Sequence, residues 1–193
     1  MKQKTTDSPL SRLVLRLEQS EGLDAGVRAT RPLVDAATGD PRVRDALQGR
    51  WLGHALHPLV VMAPLGTWLS ATLLDLSGVD RTGRAARFLT GVGVLSAGSA
   101  AATGWAELAH TGPAERRVGV AHAMTNGGAV ILQACSWFAR RRNRHGLGRA
   151  CSLAGLTLAG AAGFLGGHLS VARGVGTRDR AFAPPLGSRR PKG

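Results

Sequence analysis

Cysteine is nearly missing from this chain: 193 residues contain only Cys135, near the end of one apolar segment, and Cys151, at the start of the next. Two cysteines cannot form a disulfide framework, and they read as small buried residues. Acidic residues are also scarce, 12 against 25 Lys and Arg, which leaves a formal charge of +13. Such a balance invites a nucleic-acid reading. The arginines flank apolar segments, however, and no aromatic-interleaved basic surface accompanies them, so no nucleic-acid partner is expected. The sequence also lacks a nucleophile–base arrangement, a phosphate-binding loop and paired carboxylates, so hydrolysis and phosphoryl transfer have no support. No internal repeat is evident, and the first 50 residues lack the apolar core of a signal peptide.

Long apolar runs are present instead. Leu59–Leu76, Phe88–Trp105, Val118–Ala139 and Ala150–Leu169 carry almost no charge, and each is long enough, or nearly so, to cross a bilayer as a helix. The mean hydropathy of −0.01 hides this because polar tails dilute the middle. The expected fold is all-α, a membrane four-helix bundle running up-down-up-down, with an amphipathic N-terminal segment. Residues 1–50 form a basic tail, 51–176 the four-helix domain and 177–193 a Pro- and Arg-rich disordered tail. In the first of these, Leu10, Leu13, Val14 and Leu17 recur at helical spacing beside Arg12 and Arg16. That stripe suits an anionic membrane surface or a partner helix equally. Pro58 opens the first span, and Pro64 should kink it. Ala159, Gly163 and Gly167 form a small-residue stripe for close helix packing. Trp51 and Trp105 mark one membrane face and Trp137 the other.

Histidines carry the chemistry. With four alternating crossings, the start of spans one and three and the end of spans two and four share one face. His57 starts span one, His122 lies one turn into span three, and His168 closes span four. At a rise of 1.5 Å per residue, each lies about 25–28 Å from the far face, within about one turn of the others in height. Glu107 and His110 emerge on the same side, whereas His145 sits in the opposite, arginine-rich loop. Imidazoles at membrane depth are expensive, so a site is the default reading. One form of it is a haem b ligated by two of the three histidines, with His122 and His168 the favoured axial pair. Gly127, Gly128, Gly163 and Gly167 would leave room for the macrocycle, Asn126 would orient His122, and Arg116 or Arg173 would meet the propionates. A second form is a mononuclear transition-metal site using His57, His122, His168 and Glu107. The third is a structural cluster that binds nothing and hydrogen-bonds between helices. A small-solute channel is a further alternative, without the duplicated halves of many transporters.

Several short motifs resemble the bacterial membrane family of unknown function numbered 2231. They are Gly53-His54-Ala55-Leu56-His57-Pro58-Leu59, Pro64-Leu65-Gly66, Leu74-Asp75-Leu76 and Thr103-Gly104-Trp105. Arg116-Arg117-Val118 with His122 and Asn126, and Gly166-Gly167-His168-Leu169 with Gly174-Val175-Gly176, complete the set. The resemblance covers roughly residues 45–180. It implies a four-span protein of the bacterial inner membrane, and some similar proteins are joined to Rieske or cytochrome modules. By association, that company implies electron transfer, with a Rieske protein, a cytochrome or a quinone as partner. This chain departs from the pattern at Ala55, where proline is frequent, and at Met62-Ala63, where a histidine–aromatic pair is common. The missing histidine weakens any arrangement needing four ligands. Eight arginines lie near the membrane on each side, so the positive-inside rule ties. The cost of translocating a 50-residue basic tail favours cytoplasmic termini.

Overall fold

The computed structural model describes residues 8–80, 83–109 and 111–182. Within them the protein is all-α. Three short helices precede the bundle: α1 (Pro9–Gln19), α2 (Asp24–Thr38) and α3 (Pro41–Leu47). Ser8 caps α1 by accepting from the Ser11 amide at 3.0 Å, and Asp40 caps α3 through the amides of Arg42 and Val43. Each cap satisfies donors that the first helical turn leaves unpaired, worth about 1 kcal/mol.

The first long helix is broken where the proline demands it. Helix α4 (His57–Val60) ends, Val61 intervenes, and α5 (Met62–Ser77) begins. Pro64 lacks the amide that would reach the Val60 carbonyl, and its ring crowds that carbonyl. Helices α6 (Arg84–Leu108), α7 (Pro113–Arg141) and α8 (His145–Gly167) follow, and α8 runs into a π-turn at His168–Ala172. Each packs on the next, and α5 closes the ring against α8. Contacts at the ends set the directions. His57 at the start of α4 meets Ala100 near the end of α6, and His122 early in α7 meets Ala162 late in α8. Asp75 at the end of α5 meets Arg140 at the end of α7. Successive long helices are therefore antiparallel.

Among the described residues, three helical stretches are long and apolar enough to cross a membrane: His57–Ser77, Arg84–Leu108 and His145–Ala172. Helix α7 has the length but carries more polar groups, and these lie on one seam. His122, Asn126, Ala129, Gln133, Ser136 and Arg140 recur at alternating steps of four and three, which keeps them on one face. The facing seam of α8 is Gly148, Ser152, Gly155, Ala159, Ala162 and Gly166, all small. Gln133 donates to the Ser152 carbonyl at 3.2 Å, Ser136 to the Gly148 carbonyl at 2.7 Å, and Ser152 to Oε1 of Gln133 at 3.3 Å. Arg140, whose side chain is 0% exposed, closes the far end with two hydrogen bonds to Asp75 at 2.8 and 2.6 Å. Met124, Ile131 and Phe138, seven residues apart on the other side of α7, point outward.

Two sequence expectations change here. The stripe Ala159, Gly163, Gly167 is not the packing seam: Ala159 is buried, but a Cβ on Gly163 or Gly167 would meet nothing within 4 Å. A strict four-residue step drifts around the helix, whereas the four–three alternation stays on the contact line. Cys135 faces outward rather than inward, and both cysteines are free.

The N-terminal helices lie over the histidine end of the bundle. Val14 is buried with Val118, Leu165 and Leu169, and Leu17 packs beside them. Leu10 and Leu13 remain about half exposed. Half of the amphipathic stripe thus seals against the bundle, and the other half stays free. The predicted C-terminal tail is held as far as Phe182: the Asp179 amide donates to the Gly53 carbonyl at 2.9 Å, and His54 stacks on Phe182. Residues 183–193 and His110 lie outside the described residues.

Candidate functional site

The histidines of α4 and α7, His57 and His122, come together although 65 positions apart in sequence. Their ring centres are 6.2 Å apart and their planes nearly perpendicular. Both are held by the same nitrogen. Nδ1 of His57 lies 2.9 Å from the Ala100 carbonyl and 3.2 Å from the Thr103 hydroxyl, and Nδ1 of His122 lies 2.8 Å from the Ala162 carbonyl. A carbonyl can only accept, so each Nδ1 carries a proton, which makes Nε2 the lone-pair nitrogen of the neutral imidazole. Gly104 and Gly166 make room for the rings. A Cβ on Gly104 would come 3.1 Å from His57, and one on Gly166 would come 3.0 Å from His122.

Both imidazoles line a cavity of about 790 Å³ bounded by all four long helices. Its walls are mostly apolar, with Trp68, Trp105, Val94 and Val130 among them. Gly98, Gly127, Gly163 and Gly167 border it with open space where side chains would be. Gly128, the fourth glycine expected to leave such room, instead packs on Leu158. At the mouth, Glu107 accepts from the Thr177 amide at 2.8 Å and its hydroxyl at 3.0 Å through Oε2. Its Oε1 is buried without a hydrogen-bond partner.

His168 is not part of this cavity. Its Nε2 donates to Glu18 of α1 at 2.8 Å, and Arg173 binds the same carboxylate through Nε at 2.6 Å and through its terminal nitrogen. The π-turn begins at His168, whose ring reaches the N-terminal helix α1. Arg173, then His168, hold the Glu18 carboxyl below the usual carboxylate range against the opposing effect of burial. Arg117 does the same for Asp24 through a bidentate pair at 2.7 and 2.8 Å. No sequence signal pointed to Glu18, because its partners lie about 150 residues away.

Asn126 reaches His122, but at Nε2, where its amide donates at 3.0 Å, rather than at Nδ1. The orienting partner is the Ala162 carbonyl. Among the described residues, no group of three His, Cys, Asp or Glu side chains converges on a point that could hold a metal ion. The pair that remains is His57 and His122, whose rings meet edge to face. Arg116 donates to the Ala109 carbonyl at 3.3 Å, and Arg173 is engaged by Glu18. Arg50 and Arg178 lie in a second, polar chamber beside the mouth.

No curated protein and no solved structure matches the chain. Residues 53–179 match the family described as a predicted membrane protein, DUF2231, and that match takes in the four long helices and both cavity histidines. With two thirds of its length inside the match, the chain belongs to this membrane-protein family.

Proposed function

We propose that the protein holds a redox cofactor in the apolar cavity, most simply a haem b with His57 and His122 as axial ligands, and serves electron transfer in the membrane. One observation carries this reading. Two imidazoles beside an apolar cavity both spend Nδ1–H on a backbone carbonyl, as ligating histidines do, and Nε2 of His122 accepts only from Asn126. A cofactor of this kind supplies reversible one-electron transfer inside hydrocarbon, where side chains alone offer none. The residues do the rest. Ala100 and Ala162 fix the ring orientations, Gly104 and Gly166 set their depth, and the glycine-lined walls admit a flat body. Ligation at His122 takes the place of its hydrogen bond from Asn126. A binding site is favoured over a pore because the polar side chains beyond the cavity are spent on one another, from Gln133 with Ser152 to Arg140 with Asp75.

The test is an absorption spectrum of detergent-purified protein expressed with ample haem, oxidised and then dithionite-reduced. The expected result is a Soret band and reduced-haem bands that His57→Ala and His122→Ala abolish or shift. His168→Ala and His145→Ala should leave both in place. A wild-type protein without Soret absorption rules out haem. Elemental analysis then separates a mononuclear metal from a cofactor-free, structural membrane protein.

A further inference from the structure

Two chambers meet at one short segment. The inner one is the apolar cavity of about 790 Å³; the outer one is polar, about 670 Å³, and bordered by Gln48, Arg50, Thr111 and Glu115. Glu107, Val175 and Gly176 line both. The segment from Gly174 to Thr177 is therefore the partition between them.

Its hydrogen bonds are local, and the side chain of Val175 packs on the cluster of Val14, Val118, Leu165 and Leu169. Thr177 binds Glu107 through its amide and hydroxyl, and the Val175 amide donates to the Leu169 carbonyl at 2.8 Å. On either side, Arg173 is pinned to Glu18 and Asp179 to Gly53. Gly174 has φ 66° and Gly176 φ 138°, so a pivot without a Cβ sits on each side of Val175. The π-turn that leads into the segment departs from the α-helical hydrogen-bond pattern, a feature frequent at functional sites. The closed state also carries an internal cost. Thr177 occupies only Oε2 of Glu107, and Oε1 stays sealed from solvent with no donor. Lifting the segment would give that oxygen water, which offsets part of the loss of the Thr177 contacts.

We infer that residues 174–177 form a gate whose opening joins the polar chamber to the apolar cavity and admits a water-borne ligand from the histidine side. The inference concerns access and stands apart from which cofactor the cavity holds.

Thiol labelling of the full-length protein in proteoliposomes tests it. Ala123 lines the inner cavity alone and Thr111 the outer chamber alone. Each is made the single cysteine, as Ala123→Cys or Thr111→Cys, in a Cys135→Ser, Cys151→Ala background. The probe is a small, permanently cationic methanethiosulfonate, which cannot reach the cavity through lipid. Position 123 should label much more slowly than position 111. Thr177→Val, which removes one of the two contacts to Glu107, should speed labelling at 123 by about tenfold and leave 111 unchanged. Arg173→Ala loosens the same segment from Glu18 and provides an independent arm should Thr177→Val not elute as a folded species. Equal rates at 123 in wild type and both variants would overturn the gate. So would wild-type labelling at 123 as fast as at 111, since the passage would then stand open.

Discussion

The amide of Asn126 lies 3.0 Å from Nε2 of His122, the nitrogen whose lone pair a ligand needs. The sequence places an asparagine one turn from a histidine and suggests a brace. A brace would have to use Nδ1, and the Ala162 carbonyl already occupies it at 2.8 Å. The two roles predict opposite signs. Losing an orienting partner typically weakens binding 10–100-fold. Losing a competing hydrogen bond, worth about 1 kcal/mol, should strengthen it about fivefold. Asn126→Ala is therefore expected to bind haem more tightly, read as a lower dissociation constant in a haem titration of apoprotein. The glycines beside the rings have a simpler logic: a methyl group at Gly104 or Gly166 must displace an imidazole.

Helix α7 shows what an element can hide. Its polar seam lowers its average apolarity below that of the other long helices. Nearly every polar group on the seam is paired with α8 or α5, and the opposite side presents Met124, Ile131 and Phe138. Small residues on α8 let these side chains approach a backbone closely, so they replace hydration with carbonyl and hydroxyl partners. The Arg140–Asp75 pair at the end of this seam is a strong test. Removing one partner leaves a buried charge that Arg149, 3.5 Å from Asp75 and half exposed, compensates only in part. Arg140→Leu should cost about 3 kcal/mol, and the double variant Asp75→Leu, Arg140→Leu should recover most of it. Reversible unfolding in mixed detergent micelles measures both.

At the scale of the whole molecule, three stretches meet the requirements for a membrane span, and the direction of α7 between α6 and α8 requires an even number of crossings if both its neighbours cross. Four crossings place Leu52 and Thr111 on one side and Val79 and Arg142 on the other. Single cysteines at these positions should label in those two pairs with an impermeant maleimide added from one side of sealed vesicles. Thr111→Cys and Arg142→Cys labelling from the same side would show that α7 does not cross. The N-terminal helices belong to this scale as well. They seal Val14 into the bundle and tie Asp24 to Arg117 at the start of α7 and Glu18 to Arg173 beyond α8, so the basic tail is a cover over the histidine end.

The sequence by itself determined the apolar helices, the break before Pro64, the family and the end of the bundle that collects histidines. Those properties are local: hydrophobic run length, a missing amide and a motif can be read without knowing what lies opposite. The partners of each histidine were decided only by the tertiary structure. His57, His122 and His168 have equal claim from depth, because helical rise gives height along the axis and says nothing of rotation about it. Packing of α7 on α8 turns His122 inward to meet His57, whereas His168, where the π-turn begins, reaches the carboxylate of Glu18 on α1. Rotation about a helix axis is set by the shapes and charges of neighbouring helices, and those neighbours come from parts of the chain as far away as residue 18.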